Sequence, residues 1–210
     1  MSDLASAEPS DASLLRRHAD GDPDAFGALF KRHSARLWAV ALRITCDPDD
    51  AADALQDAMI SAFRRAGDFR GESAVTTWLH RIVVNASLDL LRRRSARSVG
   101  WSGDPDDLPV PEPRQRTDST AGTESRLDVD AALQTLPPPQ RAALVLVDML
   151  GYSVADASAI LGVSEGTVKS RCARGRTKLL PHLSHLRGDY SGERNQPVAD
   201  GVSFEQGGGA

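Results

Sequence analysis

Apolar residues recur at helical spacing through residues 10–97 and again through 127–186, and strand-like alternation is scarce, so the pattern predicts an all-α protein. The clearest stripe lies between about residues 49 and 65. There Ala51, Ala54, Leu55, Ala58, Met59, Ala62 and Phe63 fall at i, i+3, i+4, i+7, i+8, i+11 and i+12, one face of a single helix. A second long helix is predicted over residues 74–94, with Val75, Trp78, Leu79, Ile82, Val83, Ala86 and Leu90 as its apolar stripe. Arg81, Asn85, Leu88 and Arg92 fall along another stripe of that helix. Residues 98–126 break the periodicity with Pro, Gly, Asp and Ser and read as a flexible linker, and residues 187–210 read as a disordered tail. The expected architecture is two small helical domains, 10–97 and 127–186, joined by that linker.

Composition narrows the class. Hydrophobic residues are 40% and charged residues 26% of the 210, which suits a soluble globular chain, and no apolar run approaches a bilayer span. The first residues, MSDLASAEPSD, are acidic and polar where a secretory signal is basic and then apolar, so a cytoplasmic protein without membrane insertion is expected. The two cysteines, Cys46 and Cys172, lie in opposite halves with no metal-ligand spacing, and each of the five histidines reads as an ordinary surface residue. No metal, cofactor or catalytic residue is expected: there is no Gly-rich phosphate loop and no nucleophile beside a base.

The formal net charge of -4 says less than its distribution. Asp47, Asp49, Asp50, Asp53 and Asp57 crowd residues 47–57 with no basic residue among them. The first of these suit a helix N-terminus, but Asp57 lies too far into the helix for that role. Asp53, Gln56 and Asp57 share one face, which is either merely solvated or a docking surface for a basic partner helix. The next helix ends in Arg92, Arg93 and Arg94, followed by Arg97. One or two of these complement the helix dipole, and the full run would also track phosphates. Opposite charge on successive helices suggests two different partners.

The most specific signal is SVADASAILGVSEGTVKSRCARGRTKLL, residues 153–180. Ser153 with Asp156 forms an S-x-x-D start, Gly162 ends that short helix in the left-handed conformation, and Ser164 caps the next. Val168, Cys172 and Gly175 then form the inward face of the second helix. Two short helices around a glycine turn make a helix-turn-helix. Lys169, Arg171, Arg174, Arg176 and Lys178 outnumber the single acid Glu165, a surface that phosphates would favour. Small residues at the helix start, Ser164, Gly166 and Thr167, allow close approach to a groove wall, with Lys169, Ser170, Arg171 and Arg174 placed to reach base edges or phosphates. Upstream, LQTLPPPQ ends one helix and begins another among its prolines, completing a four-helix unit.

The run DDAADALQDAMISAFRRAGDFRGESAVTTWLHRIVVNASLDLLRRR resembles region two of extracytoplasmic-function sigma factors of the sigma-70 family, and LQTLPPPQRAALVLVDMLGYSVADASAILGVSEGTVKSRCARGRTKL resembles their region four. The resemblance implies a specificity subunit that binds core RNA polymerase, through the beta-prime clamp and the beta flap, and promoter DNA, and that is masked by an anti-sigma factor. It places Asp53, Gln56 and Asp57 against the clamp helices. It assigns capture of the melted minus-ten element to Phe69, Arg70, Gly71 and Ser73, with Arg81, Asn85, Arg92 and Arg93 on the following helix. Duplex reading of the minus-thirty-five element falls to Ser164, Glu165, Gly166, Thr167, Lys169, Ser170, Arg171, Arg174 and Arg176. Trp78 is expected in the core rather than as a stacking platform. Ala157, Ser158, His80 and Cys172 depart from the commoner family residues and suggest softer packing. A regulator with a response-regulator-type output domain is the main alternative, but the first block lacks the βα alternation of a receiver domain.

Overall fold

The computed structural model describes residues 8–101, 103, 108–110 and 124–184, and among these all regular structure is helical. The first unit is built from α1 (Asp11–Ala19), α2 (Ala25–Thr45), α3 (Pro48–Arg65), a 3-10 turn (Ala66–Asp68) and α4 (Val75–Val99). Helices α2, α3 and α4 pack pairwise on one another, and α1 lies against α2 and the 3-10 turn. The α2–α3 corner is tight. Cys46 takes the left-handed conformation (φ 59°), Asp47 accepts a 2.9 Å hydrogen bond from Asp50 N, and Pro48 occupies the first turn, where no amide is needed. Four alanines of α3, at positions 51, 54, 58 and 62, are buried, so α3 sits close against its neighbours.

The predicted stripe of α4 is too narrow. Val84, Leu88 and Leu91 are buried together with Val75, Leu79, Ile82 and Val83, while Trp78, Ala86 and Leu90 are only half-buried. Leu88 therefore leaves the exposed stripe that Arg81 and Asn85 share and joins the core. The cause is that α4 packs not only on α2 and α3 but also on α6 and α7 of the second unit. Ser87 turns its hydroxyl inward to Val83 O at 2.8 Å, and His80 is wholly buried.

The second unit comprises α5 (Glu124–Gln134), α6 (Pro138–Leu144), a π turn (Val145–Met149), α7 (Val154–Leu161) and α8 (Glu165–Leu183). All seven residues of α6 are buried, because α6 packs on α8 on one side and on α2 and α4 on the other. Gly175 makes the α6–α8 approach possible: a Cβ there would stand 2.7 Å from Leu144 Cδ1. One continuous apolar core thus runs through both units, from Leu14 and Leu37 to Ile160 and Val168. The expected linker also contributes to it. Gly100 (φ 62°) caps α4, and Leu108 is only 1% exposed within the shared core. The tail expected over 187–210 lies outside the described residues.

Candidate nucleic-acid interface

The helix-turn-helix forms by the expected local chemistry. Ser153 Oγ accepts from Asp156 N at 3.0 Å and donates to Asp156 Oδ2 at 2.7 Å, and Gly162 closes α7 at φ 66°. Ser164 Oγ accepts from Thr167 N at 3.1 Å and so starts α8. Val168, Cys172 and Gly175 are buried, which fixes the face that α8 turns inward.

That inward face also takes Arg171, which is only 5% exposed and does not stand beside the outward residues as expected. The reason is register: 168, 171, 172 and 175 are spaced i, i+3, i+4 and i+7, so the arginine lies on the buried stripe. Burial pushes the Cys172 thiol up, consistent with a packed and unreactive side chain. Ser164, Glu165, Gly166, Lys169, Ser170 and Arg174 are exposed, and Thr167 is half-buried. Lys169 Nζ lies 3.6 Å from Glu165, and Arg174 bends back to Ser170 O at 3.4 Å. Arg176 is committed elsewhere, donating to both carboxylate oxygens of Asp148 on the π turn at 3.0 and 2.6 Å. Asp148 thereby raises the Arg176 guanidinium above its ordinary range.

The second surface lies between α3 and α4, where a groove of about 770 Å³ is lined by Asp57, Trp78, Arg81, Asn85, Arg92 and Arg93, among others. Residues expected to meet two different partners thus share one groove. Arg93 reaches Asp57 at 3.2 Å, Arg92 reaches Asp89 at 2.6 Å, and Arg94 forms a close pair with the buried Asp50. Asp53 and Gln56 are exposed on α3 but do not line the groove. The loop before α4 has Arg70, Gly71 (φ 76°) and Ser73 exposed, while Phe69 is half-buried and meets Trp78 edge-on at 5.6 Å. Trp78 is therefore neither fully core nor free: one part packs and another faces the groove.

Three residues join the two units: His80, and Arg141 and Tyr152, which the sequence pattern does not single out. Arg141, 1% exposed, sends Nη1 to Ile44 O at 2.7 Å and to Cys46 Sγ at 2.8 Å, and Nη2 to Leu136 O at 2.8 Å. His80 Nδ1 and Tyr152 Oη share a 2.7 Å hydrogen bond. The position of His80 is not as expected. His80 is buried rather than superficial, and Cys46 is half-buried with its sulfur against a guanidinium. Burial, helped by the positive charge of Arg36 and His33, pushes the His80 imidazole down to about 4.

Comparison with known proteins accords with this geometry. The sigma-70 region 2 family profile matches residues 29–97 and the sigma-70 region 4 profile matches residues 126–179. The chain is 50% identical over 179 residues to the ECF RNA polymerase sigma factor SigM of Mycobacterium tuberculosis, covering 85% of this chain and 87% of that one. Among solved structures it is similar to the sigma factor RpoE of Bartonella quintana, in complex with the anti-sigma factor NepR, with TM-score 0.59 and 29% identity over 77% of this chain and 98% of that one. It is also similar to CnrH in complex with the cytosolic domain of CnrY, with TM-score 0.58 and 28% identity over 84% of this chain and 99% of that one. With both regions in order on one helical scaffold and this level of identity across most of its length, the chain belongs to the ECF RNA polymerase sigma factors.

Proposed function

We propose that this sigma factor binds core RNA polymerase through the exposed Asp53, Gln56 and Asp57 face of α3 and directs initiation at promoters read by two separate DNA surfaces. The observation that carries the reading is the α3–α4 groove, where an acidic docking edge and a basic, aromatic-bearing wall are adjacent. A melted strand is held there by contacts to unstacked bases, and unstacking costs a few kcal/mol that such contacts must offset. Arg81 and Asn85 face the groove with Trp78 beside them. Phe69, Arg70, Gly71 and Ser73 form the loop at its rim, while Arg92 and Arg93 serve the phosphates.

The start of α8 takes the minus-thirty-five duplex. Ser164, Glu165, Gly166 and Thr167 approach the groove wall, and Lys169, Ser170 and Arg174 reach base edges or flanking phosphates. Arg176 leaves Asp148 for a phosphate only at the cost of a bidentate pair. The second unit also meets the beta flap. The protein supplies binding and orientation, with no catalytic group of its own. It works in the cytoplasm, in a stress or envelope response, under an anti-sigma factor such as those that accompany the RpoE and CnrH structures.

Run-off transcription with core RNA polymerase on a genomic promoter library tests this. Defined start sites that appear only when the protein is added are the expected result. Duplex binding with no effect on core polymerase would point instead to a regulator of the response-regulator type.

A further inference from the structure

Arg176 is exposed on α8 seven residues after Lys169, so it continues the same line of the helix about 10.5 Å further on. On that line it is placed to meet duplex phosphates beside the residues assigned to the minus-thirty-five element. Instead its guanidinium donates twice to Asp148, from Nε to Oδ2 at 3.0 Å and from Nη2 to Oδ1 at 2.6 Å. A two-armed pair of this kind copies the way an arginine grips a phosphate, and it occupies the same donors. Glu165, by contrast, meets Lys169 at a single looser contact of 3.6 Å.

The fold holds the carboxylate in this position. Leu144 of α6 packs over Gly175, where a Cβ would stand 2.7 Å from Leu144 Cδ1. Asp148, about one turn further along, comes level with Arg176, the next residue of α8. The π turn that carries Asp148 is closed by Leu150 N donating to Val145 O at 3.0 Å, and turns of this kind are frequent at functional sites. The pair lies within the second unit, apart from the seam between the two units that Arg141 and His80 join. The side chains of Arg176 and Asp148 remain 55% and 38% exposed, so their pairing adds little to folding, and any polyanion that meets α8 also meets the carboxylate.

From this geometry, and resting on the assignment of α8 to the minus-thirty-five duplex, we infer that Asp148 is a positioning residue that withholds Arg176 from the phosphates and so lowers the sequence-independent part of DNA binding by one contact. A guanidinium already neutralised by a carboxylate displaces no counterion from the duplex, and counterion release is what drives binding to any sequence. Phosphate contacts carry no sequence information, so withholding one weakens the hold on bulk DNA without removing a base contact. Recognition is left to Lys169, Ser170 and Arg174.

The test titrates the full chain with a fluorescently labelled random-sequence duplex at several salt concentrations, with far-ultraviolet circular dichroism to check folding. Asp148→Asn is expected to bind this duplex roughly eightfold more tightly at about 0.1 M salt, with the slope of log affinity against log salt steeper by about 0.9. Loss of a purely structural contact would not tighten binding. Adding Arg176→Gln to Asp148→Asn is expected to return the slope to the wild-type value. An unchanged slope in Asp148→Asn overturns the inference. So does a steeper slope that survives the second substitution, because the carboxylate would then act as a repulsive charge without Arg176. If Asp148→Asn loses its helical signal, Asp148→Ser replaces it under the same criteria. A double variant, Lys169→Ala with Arg174→Ala, is titrated in parallel. If it binds as tightly as the wild-type protein, α8 is not the duplex surface, and the promoter reading falls together with the inference. If it binds more weakly while Asp148→Asn matches the wild-type protein, the inference alone falls.

Discussion

The Asp57 carboxylate lies 3.2 Å from the Arg93 guanidinium, so a proposed polymerase contact and a proposed DNA contact hold each other across the α3–α4 groove. Both side chains are more than half exposed, and such pairs contribute at most about 1 kcal/mol to folding. Asp57→Asn should therefore fold normally, weaken binding to core polymerase and, by releasing Arg93, strengthen binding to single-stranded minus-ten DNA. Arg93→Gln should do the reverse in the DNA titration and leave core binding nearly unchanged. Identical effects of both variants in both titrations would rule out separate roles.

On α8 the buried and exposed arginines should separate cleanly. Lys169→Ala and Arg174→Ala are expected to weaken minus-thirty-five duplex binding by about 1–3 kcal/mol each where they read bases, with little change in stability. Arg171→Ala should instead lower unfolding stability by about 2 kcal/mol or more, because it removes a buried group that has partners in the fold. Fluorescence anisotropy and urea unfolding of the three variants check this. A stable Arg171→Ala protein that cannot bind duplex would show that the side chain leaves its buried position to reach DNA.

Gly175→Ala should cost about 1–3 kcal/mol, since its new methyl would meet Leu144 Cδ1 at 2.7 Å inside a filled interface. A second substitution, Leu144→Ala, should recover part of that loss rather than add to it, and urea unfolding of the double-mutant cycle measures the coupling. Strict additivity would mean that the α6–α8 contact relaxes freely.

Acid should loosen the seam through His80. Its imidazole falls from an ordinary 6.5 to about 4 in the fold, so between those values the unfolded chain takes up a proton that the folded protein refuses. The sign follows directly: this contribution is complete above about pH 6.5 and declines as pH falls toward 4. At pH 5 it amounts to a loss of about 2 kcal/mol. Urea unfolding at pH 7 and pH 5 should show that loss in the wild-type protein and a smaller one in His80→Phe. An equal loss in both would assign the acid sensitivity to other groups.

Much of this molecule is local and was legible in the chain. The caps Ser153 and Ser164, the turn at Gly162, the helix starting at Pro138 and the inward face of Val168, Cys172 and Gly175 depend on residues within one or two turns of each other. Even the burial of Arg171 could have been read from its i+3 spacing after Val168. The sequence by itself therefore determined the helices, the helix-turn-helix and the family. What it left open is where elements far apart in the chain meet. A one-sided stripe describes α4 against two neighbours, but α6 and α7 arrive from residues 138–161 to bury Leu88 and His80 as well. Nothing in the local sequence marks Arg141 until α6 is seen between two units. Its place at the end of α2, 97 positions away in the chain from Ile44, is a consequence of packing rather than of any periodicity. Only the tertiary structure decided that the two units share one core, because the groups that join them acquire their partners only when that core closes.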